Sequence, residues 1–210
     1  LDEKTGALYW GEVGPDANLD SAGFGPKGHD EVNQAKQAGF YGWPYFVANN
    51  KAYWHVNYAT DNPDFQFDPT SPVNRSPNNT GIQDLPPAQP AFIWYPYSNS
   101  REFPMLGSGG RNAMAGPVYY SSSYTAENKF PDYFNRKLFI YDWIRGWVHI
   151  VTLDEEERYV KMDRFMPGHK FSNPIDMQFA KDGSLYVLEY GNSWYTQNED
   201  ARLLRIDYNG

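Results

Sequence analysis

The feature that most constrains the fold is a near-repeat at the two ends of the chain. Residues 5–14 have the sequence TGALYWGEVG, and residues 182–191 have the sequence DGSLYVLEYG. Both copies follow the pattern GxLYxxExG, in which a glycine turn precedes an apolar stretch of strand length. Sheets built by repeating one turn-strand-turn unit produce such copies, because each unit buries the same face against its neighbour. The near-repeat therefore predicts an all-β chain made of repeated four-stranded blades, as in a β-propeller.

Proline and glycine interrupt the chain at short intervals, with 16 prolines and 18 glycines in 210 residues. This spacing makes long helices unfavourable and favours short strands joined by substantial loops. Aromatic residues are abundant, at 18% of the chain. Exposed Tyr and Trp rings can stack on sugars, and the alternative is that most of these rings pack in the core or under loops.

The bulk properties exclude several functional classes. A net charge of −8 and a pI near 4.9 argue against nucleic-acid binding, because neutralising phosphates requires a basic surface. The chain has no cysteine, so disulfides, thiolate metal sites and a cysteine nucleophile are all excluded. No apolar run approaches the roughly 20 residues that a membrane-spanning helix needs. We therefore expect no nucleic-acid partner and no membrane span.

Several segments of the second half have the pattern of strands. Residues 137–154 contain two apolar runs on either side of Ile144, Arg145 and Gly146, which predicts a hairpin with the glycine in its turn. The segments YVKMDRFM, FSNPIDMQFA, DGSLYVLEYG and ARLLRIDY predict further strands. The strand spacing is therefore regular from Ala115 onward.

The first half is less regular. Residues 49–89 are rich in Pro, Asn, Asp and Ser and follow no period, which predicts a long loop excursion. Loops of this length in compact domains are usually functional or disordered. A short helical turn is predicted around Val32–Ala38, too short to determine a fold.

The most specific motif is GFGPKGHDEVNQAKQAGFYGWP, residues 23–44. It contains Gly-Pro at 25–26, Asp-Glu-Val-Asn at 30–33 and, after seven intervening residues, Tyr-Gly-Trp-Pro at 41–44. This order and spacing resembles a motif of the glucose/sorbosone dehydrogenase family. The segment GPVYY, the following KFPDYFNRKLFIYDWIRG and the final strands also resemble later parts of that family. The resemblance covers essentially the whole chain.

The resemblance implies a fold and an activity. Members of the family are six-bladed β-propellers that oxidise sugars at the anomeric carbon with pyrroloquinoline quinone (PQQ) and calcium. Residues 1–210 would then form the C-terminal portion of a single β-propeller domain. Its partners would be the N-terminal blades of the same propeller and a sugar or oligosaccharide substrate. A secreted or periplasmic bacterial location is expected.

The same resemblance implies calcium ligands. The backbone carbonyls of Gly25 and Pro26 match those that hold the cofactor's calcium, and Glu31 and Tyr41 match residues of a second, structural calcium site, with Asp30 as an additional carboxylate. Calcium accepts six to eight hard oxygens, from carboxylates and carbonyls alike. The alternative is that the two acidic residues only cap a short helical turn and that the Gly-Pro step is a plain loop.

The resemblance also implies where PQQ would bind, and here the sequence departs from the pattern. The lysine expected in the penultimate hairpin falls at Ile144, next to Arg145, and the expected arginines fall at Asn173 and Ile175. Guanidinium groups suit carboxylates best, so we expect PQQ binding to be weaker than the family pattern implies. The family's catalytic histidine and its Arg-Asn pair lie upstream of the strand that opens this chain. No catalytic residue is assigned, and the isolated chain is expected to be inactive.

An aromatic segment is a candidate for substrate contact. Residues 92–114 combine Trp94, Tyr95 and Tyr97 with a Gly-rich loop and Arg111. Loops on the central face of a propeller can present such rings to a sugar. The alternative is that these rings cover a sheet edge or a neighbouring blade.

These observations predict part of a PQQ- and calcium-dependent sugar (aldose) dehydrogenase-like propeller that oxidises a sugar hydroxyl. Two other classes remain open at this point. One is a non-catalytic carbohydrate-binding propeller, and the other is a structural propeller module of a secreted protein.

Overall fold

A computed structural model describes residues Leu1–Asn209 and shows an all-β chain. Strands hold 36% of the residues and helix only 4%, the latter as short 3₁₀ turns at Pro104–Leu106, Ser121–Ser123 and Asp132–Phe134. The predicted fold class is confirmed at this level, and six blades in the complete protein stays a prediction. The strands are β1 Leu8–Glu12, β2 Asp30–Ala35, β3 Phe46–Val47, β4 Lys51–Ala52, β5 Trp54–Asn57, β6 Asn62–Gln66, β7 Ile93–Tyr95, β8 Ala113–Tyr119, β9 Lys137–Asp142, β10 Trp147–Leu153, β11 Tyr159–Arg164, β12 Pro174–Phe179, β13 Leu185–Glu189 and β14 Arg202–Ile206.

The chain forms two compact units. The middle unit comprises residues 12–108, and the C-terminal unit comprises residues 1–11 together with residues from 109 onward. Within residues 1–209 we find no helix with the length and hydropathy of a membrane-spanning segment.

The C-terminal unit contains two antiparallel sheets. The first has four strands in the order β11-β10-β9-β8, and the second has three strands in the order β12-β13-β14. The predicted hairpin around Gly146 is confirmed, because β9 and β10 pair with Trp147 opposite Asp142. Gly146 has φ +62°, a conformation that favours glycine, in the turn of that hairpin.

An aromatic-rich core stabilises these two sheets. Its residues lie on both sheets and on the segments that follow β8 and β11, so the packing holds sheet against sheet. The fully or nearly fully buried members are Tyr119, Phe130, Phe139, Tyr141, Val148, Ile150, Phe165, Phe171, Met177, Leu185 and Val187.

The middle unit is built around β2 and β7. These two strands pair antiparallel, with Glu31 opposite Trp94 and Val32 opposite Ile93. The predicted helical turn at Val32–Ala38 is therefore wrong, because this segment begins as strand β2. Helix-forming residues such as Gln, Ala and Lys follow Val32, but pairing with a strand some 60 positions away overrides that weak local preference.

The segment predicted as a loop excursion contains short strands. Within residues 49–89, β4 pairs with β3, and β5 pairs with β6 in an exposed hairpin. Residues 67–92 contain no strand. The excursion is therefore a mixture of short hairpin elements and irregular backbone.

Both copies of the near-repeat form the predicted strands. The turn glycines have matching conformations, with φ +80° at Gly6 and φ +83° at Gly183. The two strands nevertheless differ in burial at equivalent positions. Leu8 is 46% exposed, whereas its counterpart Leu185 is completely buried.

Candidate functional site

Strand β2 carries a run of buried polar side chains. Asp30, Glu31 and Asn33 are 0%, 4% and 0% exposed. Because side chains alternate along a strand, Asp30 lies on one face while the other two share the opposite face. The Asp30 carboxylate accepts a hydrogen bond from the Gly14 backbone amide at 3.1 Å. Neither acidic residue caps a helix, so that part of the alternative is wrong, while a plain loop at Gly25-Pro26 stays open.

The shared face forms a pocket that we call the carboxylate pocket, made of Glu12, Glu31 and Asn33. The Asn33 Nδ2 atom is 3.3 Å from Glu31 Oε2 and 3.3 Å from Glu12 Oε2. The other carboxylate oxygen of Glu31 accepts a short hydrogen bond from the Ala48 backbone amide. Two carboxylates therefore meet at one buried amide group.

This environment makes ionisation of Glu31 unfavourable. Burial raises the pKa of its carboxyl from 4.5 to about 7, and the nearby carboxylates of Glu12 and Asp30 add to the rise. The hydrogen bonds from Ala48 and Asn33 act in the opposite direction. A bound cation would lower the pKa of Glu31 again, because it favours the charged form of the carboxyl.

The donor set fits a hard cation such as calcium. Asn33 Oδ1 is buried and accepts no hydrogen bond, so one oxygen in the pocket is unpaired. Within residues 1–209, no three Asp, Glu, His or Cys side chains come close enough together to bind a metal by themselves. A calcium ion here would therefore also need amide and backbone carbonyl oxygens, which calcium accepts readily.

The other predicted calcium ligands are placed as follows. Gly25 and Pro26 are half-buried, and the Gly25 carbonyl accepts a hydrogen bond from the Ser21 amide at 2.8 Å. A carbonyl oxygen has two lone pairs, so this bond leaves one for a further partner. The Tyr41 hydroxyl donates to the Gln37 carbonyl at 2.8 Å, which engages its proton within the same loop.

Solved structures of sugar dehydrogenases align with this chain. A structure described as an oxidoreductase (glucose dehydrogenase) from Thermus thermophilus aligns with 97% of this chain, at a TM-score of 0.52 and 19% identity. The fold is shared. A further glucose dehydrogenase structure aligns with 98% of the chain at a TM-score of 0.49 and 19% identity. The PQQ-bound form of aldose sugar dehydrogenase from Streptomyces coelicolor aligns with 97% at a TM-score of 0.47 and 12% identity.

The chain spans only 42% of the length of both glucose dehydrogenases and 40% of the aldose sugar dehydrogenase. No protein-family profile matches the sequence, and no curated protein matches it. The predicted resemblance to sugar dehydrogenases is thus confirmed in the fold, while the site residues stay predictions.

The residues predicted to contact PQQ do not fit its carboxylates. The Arg145 guanidinium donates to the carbonyls of Gly110 at 2.7 Å and Gly109 at 3.1 Å. Asn173 and Ile175 carry no positive charge, although a PQQ carboxylate requires one or more cationic partners. Arg145 is therefore the one cation at these positions, and part of its guanidinium is already bonded to the protein backbone.

The aromatic residues predicted to face a sugar are largely packed. Tyr95 is completely buried, and Trp94 is half-buried with its ring edge-on to Phe103 at 5.0 Å. Tyr97 donates a short hydrogen bond to the Asp16 carboxylate. Arg111 is only 4% exposed. These contacts agree with the alternative in which the rings pack along a sheet.

Sequence reasoning did not single out Glu12 and Asn33 as site residues. Glu12 is the Glu of the repeated pattern GxLYxxExG, and its counterpart in the second copy is Glu189. Glu189 accepts hydrogen bonds from the Ser172 amide and the Arg202 guanidinium, both at 2.7 Å. The recurrence of Glu at the same place in both copies is the sequence signal that could have identified Glu12.

Proposed function

We propose that the chain forms the later blades of a six-bladed β-propeller of the sugar dehydrogenase type. The shared fold with the Thermus glucose dehydrogenase supports this proposal, as do the small antiparallel sheets of the C-terminal unit. The N-terminal blades would supply the catalytic histidine, and a sugar or oligosaccharide would be the substrate. The complete protein would be bacterial and either secreted or periplasmic.

Within this protein, the carboxylate pocket would bind calcium. The observation that carries the proposal is the buried Glu31 carboxyl, whose pKa is raised to about 7 beside a second carboxylate and an unpaired Asn33 oxygen. A divalent cation would favour the ionised form of both carboxylates and give Asn33 Oδ1 a partner. Calcium would thereby stabilise strand β2 against the Ala48 backbone.

Further predicted ligands complete the proposal. The Tyr41 loop would contribute a further oxygen to the pocket, whereas the Asp30 carboxylate, on the opposite face of β2, would bind calcium only outside it. The carbonyls of Gly25 and Pro26 would hold the calcium associated with a cofactor. PQQ would bind more weakly than the family pattern implies, because Asn173 and Ile175 supply no cationic partner at its predicted carboxylate positions. No redox step is assigned to residues of this chain.

Thermal unfolding of the full chain tests the calcium proposal. Midpoints are compared in EDTA, excess calcium and excess magnesium at pH 8. Calcium at a hundred times its dissociation constant should add about 2.7 kcal/mol, which for a chain of this size raises the midpoint by about 5–10 °C. Magnesium should have a smaller effect, since it requires a tighter octahedron.

Two variants make the test specific. Glu31→Gln should abolish most of the calcium response, while Glu199→Gln, an exposed carboxylate outside the pocket, should leave it unchanged. An identical wild-type midpoint in EDTA and in calcium would rule out calcium binding by the folded chain. A calcium response that Glu31→Gln retains would place the ion elsewhere.

A non-catalytic carbohydrate-binding propeller is the second candidate. It is favoured by the absence of cationic side chains at positions 173 and 175 and by the hydrogen bonds that occupy Arg145. PQQ titration of the calcium-loaded chain, followed by quenching of tryptophan fluorescence, distinguishes the two. Saturable quenching supports a cofactor-binding propeller, whereas its absence supports the binding protein.

A further inference from the structure

The middle unit contains an aromatic groove that none of the predicted sites uses. It has a volume of about 420 Å³, and seven of its eleven lining residues are Phe, Trp or Tyr. Three of these rings are open to solvent. Tyr58 is 88% exposed, Trp43 is 52% exposed and Phe24 is 47% exposed. Exposed large aromatic residues gathered in one concave surface indicate a binding site rather than a solvated loop.

The floor of the aromatic groove is ordered by backbone hydrogen bonds. The Tyr53 amide donates to the Tyr45 carbonyl at 2.9 Å, and the Phe67 amide donates to the Tyr53 carbonyl at 3.0 Å. The Trp54 amide donates to the Phe24 carbonyl at 2.9 Å. These bonds fix the backbone positions from which five of the rings project.

Ring packing orders the floor further. The rings of Tyr45 and Phe67 stack at 4.1 Å with an interplanar angle of 19°. The Tyr53 ring lies so close to Gly25 that a Cβ atom there would be 2.3 Å from the ring. The groove is thus formed before any ligand arrives, which lowers the entropic cost of binding.

The electrostatic character of the aromatic groove limits its ligand. None of the described lining residues is Lys, Arg, Asp or Glu, and the nearby Asp64 carboxylate is bonded to the lining residue His55, so the lining offers an anionic ligand no Lys or Arg partner. Its polar rim contains His55, whose Nδ1 is 3.0 Å from the Asp64 carboxylate, and both side chains are about half-exposed. A ligand that fits should be uncharged and should carry both apolar faces and hydroxyl groups.

We propose that the aromatic groove binds a neutral oligosaccharide made of gluco-configured pyranose rings. In such rings the hydroxyls are equatorial, so each face presents C–H groups that pack flat on an aromatic ring. The hydroxyls then lie at the edge, where the carboxylate of Asp64 can accept from them and His55 can contribute a second hydrogen bond. The volume falls within the range typical of small-ligand sites.

A proline-rich peptide is the main competitor, because it also binds aromatic grooves. Such a peptide presents backbone carbonyl acceptors and few donors, so it would offer the second oxygen of the Asp64 carboxylate no hydrogen bond. The oligosaccharide is therefore the better match to the rim. The proposal goes beyond the proposed calcium site and does not depend on it.

Titration of the full chain with cellohexaose, a neutral β-1,4-linked glucose oligomer, tests the proposal by calorimetry. Saturable binding is expected. Trp43→Ala should weaken it at least about tenfold, as truncation of a central aromatic contact typically does. Tyr58→Ala should also weaken it, and because this side chain is exposed, its removal should leave the fold intact. Tyr195→Ala serves as the control, because Tyr195 is 95% exposed but lies in the C-terminal unit.

Three outcomes would overturn the proposal. The first is no saturable heat with cellohexaose up to millimolar concentration in a chain whose circular dichroism shows the folded state. The second is binding that both groove variants leave unchanged. The third is binding of a proline decapeptide in preference to cellohexaose, which would assign the groove to a peptide.

Discussion

The Asn33 side-chain amide lies 3.3 Å from the Glu31 carboxylate, two positions away on the same strand. It lies equally close to Glu12, which is 21 positions away in sequence. The two N–H groups of this one amide therefore serve two carboxylates, each across a distance of 3.3 Å, which is long for a strong hydrogen bond. This arrangement explains why burial dominates the ionisation of Glu31.

The first prediction concerns the pH dependence of stability without metal. The pKa of Glu31 is about 7 in the folded state against an ordinary value of 4.5, so the folded state binds the proton more tightly between these values. Its contribution to the free energy of unfolding should therefore fall as pH rises from 4.5 to 7. The loss approaches about 3 kcal/mol, because the folded and ordinary pKa values differ by more than two units and each unit corresponds to about 1.4 kcal/mol.

Urea denaturation in EDTA at pH 5 and pH 8 measures this effect. Glu31→Gln should remove most of the loss, so the variant should be more stable than the wild type at pH 8 in EDTA. Calcium should invert this order, because a charged carboxylate binds the ion more tightly than the neutral amide of glutamine does. Equal pH dependence in Glu31→Gln and the wild type would show that Glu31 ionises normally.

The second prediction concerns His149, which is 2% exposed on β10 beside the Trp147 ring at 4.6 Å. Burial lowers its pKa from 6.5 to about 4, and Arg164 contributes in the same direction, while the Asp163 backbone opposes it. The unfolded state then binds the proton more tightly between these values. Stability should therefore fall as pH decreases from 6.5 to 4, by up to about 3 kcal/mol.

Unfolding midpoints of His149→Leu at pH 7.5 and pH 4.5 test the histidine. The variant should lose less stability on acidification than the wild type. Glu31→Gln is measured alongside it, because Glu31 and His149 have opposite slopes in the same pH range. Their sum makes the wild-type curve flatter than either contribution. A steeper acid loss in His149→Leu would contradict the prediction.

Local signals made much of the fold predictable. The turn glycines at 6, 146 and 183 mark strand boundaries, because each adopts a positive φ that other residues avoid. The apolar runs on either side of Gly146 are separated only by a short turn, so their pairing follows from the sequence itself. These elements required no knowledge of distant segments.

The parts that sequence did not predict depend on distant pairing. Strand β2 contains helix-forming residues, yet its pairing with β7 determines its conformation. The same pairing buries Tyr95, which the sequence offered equally as a sugar-contacting ring. Glu12 joins the pocket because residues 21 positions apart meet at Asn33. Composition records which oxygens are available, but only the folded backbone determines which of them share a pocket.

The last prediction concerns Asp142, a completely buried carboxylate at the end of β9. Its Oδ1 accepts from the Arg145 amide at 2.6 Å, and its Oδ2 accepts from the Asn112 amide at 3.0 Å. The carboxylate therefore links the β9–β10 turn to the loop before β8. The Arg145 guanidinium strengthens this link, because it donates to the Gly110 carbonyl of the same loop at 2.7 Å. Asp142→Ala leaves two backbone donors without this acceptor.

Asp142→Ala should therefore lower the free energy of unfolding by about 3 kcal/mol, since hydrogen bonds to a charged group contribute about 1.5–3 kcal/mol each. Asp142→Asn, which retains one acceptor oxygen, should cost less. Urea unfolding provides the measurement, with a reduced midpoint at an unchanged slope, and Glu199→Ala provides an exposed control. Combining Asp142→Ala with Arg145→Ala should cost less than the sum of the single changes, because the two side chains order the same loop. Strict additivity would mean that Asp142 and Arg145 stabilise the hairpin independently.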